Sequence, residues 1–149
     1  MKRFASVSFI LAGAFALGAV AVAGEKATPA EAQALLDKAV KAVQTDGKKA
    51  LAAFNDPKGG YVDRDLYVFC FSPEGKITAH RDASRVGTEV AAIKDPDGKE
   101  IGKQMLDLGA KGQGTLEYKW TNPVTNKVET KVSYIKKAGD QVCGVGAYK

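Results

Sequence analysis

The sequence predicts an α+β domain in which helices cover a five-stranded antiparallel sheet, and three observations carry that. The last third, Gly112 to Lys149, holds three strand-like runs separated by turn residues. Two further runs flank the turn Ser72-Pro73-Glu74-Gly75 and make a hairpin. The stretch after Thr28 repeats apolar residues at helical spacing. Helices that precede or interrupt runs of strands, without strict alternation, argue for helices packed on an antiparallel sheet.

The chain opens with Met1-Lys2-Arg3, runs apolar and small from Phe4 to Val20, and closes the run on Ala21-Val22-Ala23. A basic start, an apolar middle and small residues at the cut describe a secretory signal peptide. The alternative is an uncleaved anchor, since roughly 17–25 apolar residues span a bilayer. The run is rich in Ala and Gly and no stop-transfer charges follow it, which favours cleavage. Residues 1–23 are therefore set apart, leaving one domain at 24–149, expected in the periplasm or secreted, with no membrane span once the leader is gone.

Thr28-Pro29-Ala30-Glu31 supplies an N-cap, a proline suited to the first helical position and the acid of a capping box. Ala32, Leu35, Leu36, Ala39, Val40 and Val43 then share one helical face. Asp46-Gly47 is expected to break the helix, with Lys48–Asn55 forming a second short one. Asp65–Phe71 is apolar on both parities, the mark of a strand covered on both faces. Lys76–His80 returns as its hairpin partner, Arg81–Asp95 is expected to be irregular, and Asp95-Pro96-Asp97-Gly98 is a turn. Lys99–Leu108 forms a helix with Ile101, Met105 and Leu108 inward. Gly114–Trp120, Lys127–Lys136 and Gln141–Lys149 complete the sheet as a meander.

Without Lys2 and Arg3, 20 bases face 17 acids. A net charge of +3, evenly spread, does not make the clustered basic face that nucleic acid needs. Cys70 and Cys143 each lie in an apolar run of an exported chain, and an oxidising compartment favours pairing them. Two buried thiols are the alternative. The single histidine, His80, excludes a His-based metal cluster, and neither C-x-x-C nor G-x-S-x-G occurs. No cofactor and no catalytic activity are expected. Tyr118 and Trp120 share a strand face with Leu116, whereas Lys131 and Tyr134 fall on opposite faces of the next strand. A cation beside aromatic groups suits a small carboxylate. For Lys131 and Tyr134 both to face one ligand, a bulge or twist is needed.

Several segments in order resemble the single Cache domain family, extracytoplasmic relatives of the PAS fold. They are Asp65–Phe69, Gly75–His80, Asp97-Gly98-Lys99, Gly114–Trp120, Lys131–Tyr134 and Gly144–Tyr148. The resemblance implies a PAS-like sheet in the order 2-1-5-4-3, which makes the two cysteine strands neighbours. It implies a pocket built over the sheet by the connection after His80, with His80, Tyr118, Trp120, Lys131 and Tyr134 as contacts to a small organic acid. Because no signalling module follows Lys149, the expectation is a stand-alone binding and sensing member, with a membrane receptor or transducer as possible partner. The alternative is a structural or interaction subunit docking on an envelope complex.

Overall fold

The computed structural model describes residues 25–149, so the expected leader at 1–23 lies outside the described residues. Helix α1 runs Pro29–Asn55. The Glu31 amide donates to Thr28 Oγ1 at 3.2 Å and the Thr28 amide donates to Glu31 Oε2 at 2.7 Å, completing the expected capping box. The expected break is present, though not as a loop between two helices. Asp46 leaves the helical region (φ −156°, ψ 92°), and its carboxylate accepts the Lys49 amide at 3.1 Å, which caps the second half. The two halves thus continue through a kink as one helix.

The remaining elements are β1 (Val62–Asp63), β2 (Leu66–Phe71), β3 (Ile77–Ala79), α2 (Ile101–Ala110), β4 (Gln113–Thr121), β5 (Val128–Ala138) and β6 (Gln141–Tyr148). Two single 3₁₀ turns, Ala83–Arg85 and Val90–Ala92, interrupt the connection after β3. All pairings are antiparallel: β3 with β2, β2 with β6, β6 with β5 and β5 with β4. Counting the five anticipated strands in chain order, this reads 2-1-5-4-3. The short β1 is an addition; it pairs with the start of β2 through a tight turn in which Arg64 adopts φ 56°.

Each face of the sheet has its own core. Leu66, Val68, Cys70, Cys143 and Val145 meet Ala32, Leu36, Ala39 and Phe54 of α1. Tyr67, Phe69, Phe71 and Ile135 meet Ile77, Val90, Ile101 and Met105 on the other side. All six residues of β2 are consequently buried, as its unbroken apolar run demands. Cys70 lies directly opposite Cys143 with Cα atoms 4.1 Å apart, and the two form a disulfide.

A polar knot holds the foot of α1. Buried Asp65 accepts the Ala27 amide at 3.0 Å, and Asn122 Nδ2 donates to Asp65 Oδ2 at 3.3 Å and to Glu129 Oε2 at 3.1 Å. Lys26 pairs with the same Glu129 at 2.9 Å. On the far face, α2 approaches the Val90–Ala92 turn so closely that a Cβ on Gly102 would lie 1.7 Å from the Val90 carbonyl oxygen. Only glycine permits that contact.

Candidate functional site

The face opposite α1 encloses a cavity of about 30 Å³ between β2, β4, α2 and the two 3₁₀ turns. A water needs roughly 10–15 Å³ of such space, so the cavity suits a group of only a few non-hydrogen atoms. Its two ends differ chemically. Phe71, Ile77, Val90, Ile101 and Met105 close one end, none more than 5% exposed. Tyr67, His80, Arg85 and Trp120 line the other, and the same four side chains border an open surface groove, which makes that end the mouth.

Arg85 is the cation of the mouth. Asp82 caps its 3₁₀ turn, accepting from the Ser84 amide at 3.0 Å and from Ser84 Oγ at 2.7 Å; these bonds hold the Asp82 carboxyl below its ordinary range. The Arg85 guanidinium lies 4.8 Å from the centroid of Trp120, a cation–π stack. Trp120 in turn stands edge-on to Tyr118, with centroids 5.9 Å apart. Tyr118 is buried and shares a 2.9 Å hydrogen bond with Ser133 Oγ; burial raises its phenol above the ordinary value.

His80 is neutral at this mouth. Burial first, then the charges of Arg85 and Lys131, lower its pKa to about 4. Its Nδ1 accepts the Asp82 amide at 2.9 Å, so the ring proton sits on Nε2 as a donor. The ring stands edge-on to Tyr67 at 5.1 Å.

Lys131 is 1% exposed and lies behind the Tyr67 wall, not at the cavity surface. Its Nζ is 4.1 Å from the Tyr67 centroid, 5.1 Å from Tyr148 and 5.9 Å from Phe69, an aromatic cage. Burial works against the charge. Tyr67 and Tyr118 outweigh that and keep the pKa above the ordinary lysine value. No ion pair between described residues engages it. Room for its stem comes from Gly146, where a Cβ would lie 2.2 Å from Lys131 Cε.

Of the five expected contacts, the structure brings His80, Tyr118 and Trp120 to the cavity and sets Lys131 directly behind its wall. Tyr134 is not among them. The pairing of β5 with β6 runs without a bulge from Lys131 to Ala138, so strict alternation sends Tyr134 to the α1 side, where it packs on that core. The bulge that would have brought it round is absent from this pairing. Arg85 went unrecognised because the connection carrying it has no periodicity. The glycines of β6 were a readable signal, since a strand glycine marks close approach by another group.

A family model described as Single Cache domain 2 matches residues 17–148. The sensor histidine kinase MctS of Rhizobium johnstonii is 28% identical over 88 residues, which is 57% of this chain and 19% of the kinase. The chain thus spans about a fifth of the length of that curated relative. A methyl-accepting chemotaxis protein from Vibrio parahaemolyticus has the same fold, with a TM-score of 0.67 and 24% identity over 80% of this chain and 86% of that one. So does a Cache chemosensory domain described as recognising carboxylic acids, with a TM-score of 0.60 and 21% identity over 80% and 86% of the two chains.

Proposed function

The chain belongs to the single Cache domain family, and from that premise we propose that it is an extracytoplasmic sensor module that binds a small organic acid and carries out no catalysis. One observation carries the reading: a small cavity whose apolar end is buried and whose mouth presents the Arg85 guanidinium beside the neutral His80 ring. A carboxylate at the mouth would take charge-assisted hydrogen bonds from Arg85 and a neutral one from His80 Nε2. The fixed positive charge of Lys131, behind Tyr67, adds to the potential there. The likeness to a Cache chemosensory domain that recognises carboxylic acids supports the same ligand class. Ligand occupancy would be passed to a membrane receptor or transducer, as the similarity to part of a sensor kinase suggests.

A thermal-shift screen of small carboxylates and amines tests this. A ligand at 100 times its Kd stabilises by about 2.7 kcal/mol, a readily measured rise in Tm. Arg85→Ala is expected to weaken binding of the acid by roughly 10- to 100-fold, since a hydrogen bond to a charged group contributes about 1.5–3 kcal/mol. If no acid shifts the Tm, or if amines do so and acids do not, the reading is wrong.

A further inference from the structure

Resting on that carboxylate reading, we infer that Met105 is the residue that sets how long an acid the site accepts, with the ligand held carboxylate at the mouth and alkyl tail toward α2. The argument begins with orientation. Among the residues lining the cavity, the cation and the ring N–H both belong to the end that opens on the surface groove. The opposite end offers no polar side chain: it is Phe71, Ile77, Val90, Ile101 and Met105. A carboxylate driven to that end would lose its hydration with nothing to replace it. The tail therefore goes in first, and the distance from the mouth to the end wall limits its length.

The five wall residues are not equivalent. Phe71 and Ile77 are adjacent strand partners in the sheet, and Val90 and Ile101 flank the immovable contact at Gly102. All four are fixed by backbone packing. Met105 alone is an unbranched, flexible side chain, and it projects from the second turn of α2. Substitution there changes the depth of the cavity without moving a strand. At about 30 Å³ the cavity holds little beyond the carboxylate's first carbons. The natural ligand is then a short, unbranched monocarboxylate.

The test is calorimetric titration of acetate, propionate, butyrate, valerate and the branched isobutyrate into the wild-type chain, Met105→Ala, Met105→Phe and the volume-conserving Met105→Leu. Each methylene that fits contributes about 0.8 kcal/mol, or about fourfold in affinity. Wild type should gain at most one such step beyond acetate and then lose at least tenfold, and should reject isobutyrate. Met105→Ala should move the optimum longer by one or two carbons, Met105→Phe should restrict binding to acetate, and Met105→Leu should leave the order unchanged. Should Met105→Ala prove too unstable, the Met105→Phe and Met105→Leu pair decides alone. Acids that bind with the same order of chain lengths in all the Met105 variants overturn the inference and leave the carboxylate reading standing. Failure of every acid to bind wild type removes both.

Discussion

Replacing both Cys70 and Cys143 by alanine should lower the unfolding free energy by about 4 kcal/mol. The two residues are separated by 73 positions in sequence, and closing a loop of that length removes roughly 15 cal/mol/K from the unfolded chain, or about 4.4 kcal/mol at 25 °C. Both side chains are fully buried between the sheet and α1, so the small void left by lost sulfur adds to the cost. A domain of about 125 residues shifts in Tm by roughly 4 °C per kcal/mol, which makes the expected fall about 15 °C. Urea titration of the oxidised wild type and the double alanine variant gives the free energy directly, and the dependence on urea should steepen in the variant as its unfolded chain expands. The pair faces α1, across the sheet from the cavity, so affinity for an acid should not change. A variant within 1 kcal/mol of wild type, with the bridge verified by mass in the parent, would refute the loop-entropy argument. A variant that keeps its stability but loses binding would refute the separation of the two faces.

Three other outcomes follow from the site and its supports. Lys131→Met keeps the length of the side chain and deletes the charge that the Tyr67, Tyr148 and Phe69 rings surround; it should lower stability by about 2 kcal/mol while weakening acid binding severalfold, and an unchanged calorimetric Kd would remove Lys131 from the site. His80 has its pKa lowered from 6.5 to about 4 in the fold, so below pH 6.5 the unfolded chain takes up a proton that the folded chain refuses. Stability present above pH 6.5 should therefore be lost as pH falls toward 4, by at most about 3 kcal/mol, and His80→Gln should flatten that part of the pH–Tm curve. Gly102→Ala places a methyl against the Val90 carbonyl and should cost about 3 kcal/mol by overpacking, whereas Gly47→Ala, whose nearest neighbour is 3.8 Å away, should be neutral or stabilising by up to about 1 kcal/mol; thermal melts of the two rank the contacts.

Elements with a local cause could be read from the residues alone. The capping box at Thr28 and Glu31, the helix break at Asp46 and the doubly buried β2 each follow from chemistry contained within a few positions. The facing of Leu116, Tyr118 and Trp120 toward one core likewise follows from alternation alone. The meander strands were found for the same reason, although β5 runs on to Ala138 and α2 is displaced to Ile101–Ala110. The site was less legible because its parts meet only in three dimensions. Arg85 is aimed by a 3₁₀ turn with no apolar rhythm, and its partner Trp120 is 35 positions away. Lysine is ordinarily a surface residue, and the burial of Lys131 becomes intelligible only once Tyr67, Tyr148 and Gly146 are brought around it from two other strands. Tyr134 was assigned by analogy against its own alternation, and the alternation prevailed.

Asp65 gives β2 a polar hold on the start of α1 in addition to their apolar packing. It stands two positions before Tyr67, whose ring walls the cavity, and it grips the amide of Ala27, one residue ahead of the helix cap. The wall of the cavity and the base of the longest helix are therefore joined by a short stretch of backbone and a buried hydrogen bond, next to the ion pair of Arg64 with Glu31 at the same corner. That polar link lies beside the apolar contacts that Leu66 and Val68 make with the helix, so the strand that walls the cavity holds the base of the helix in two chemically different ways.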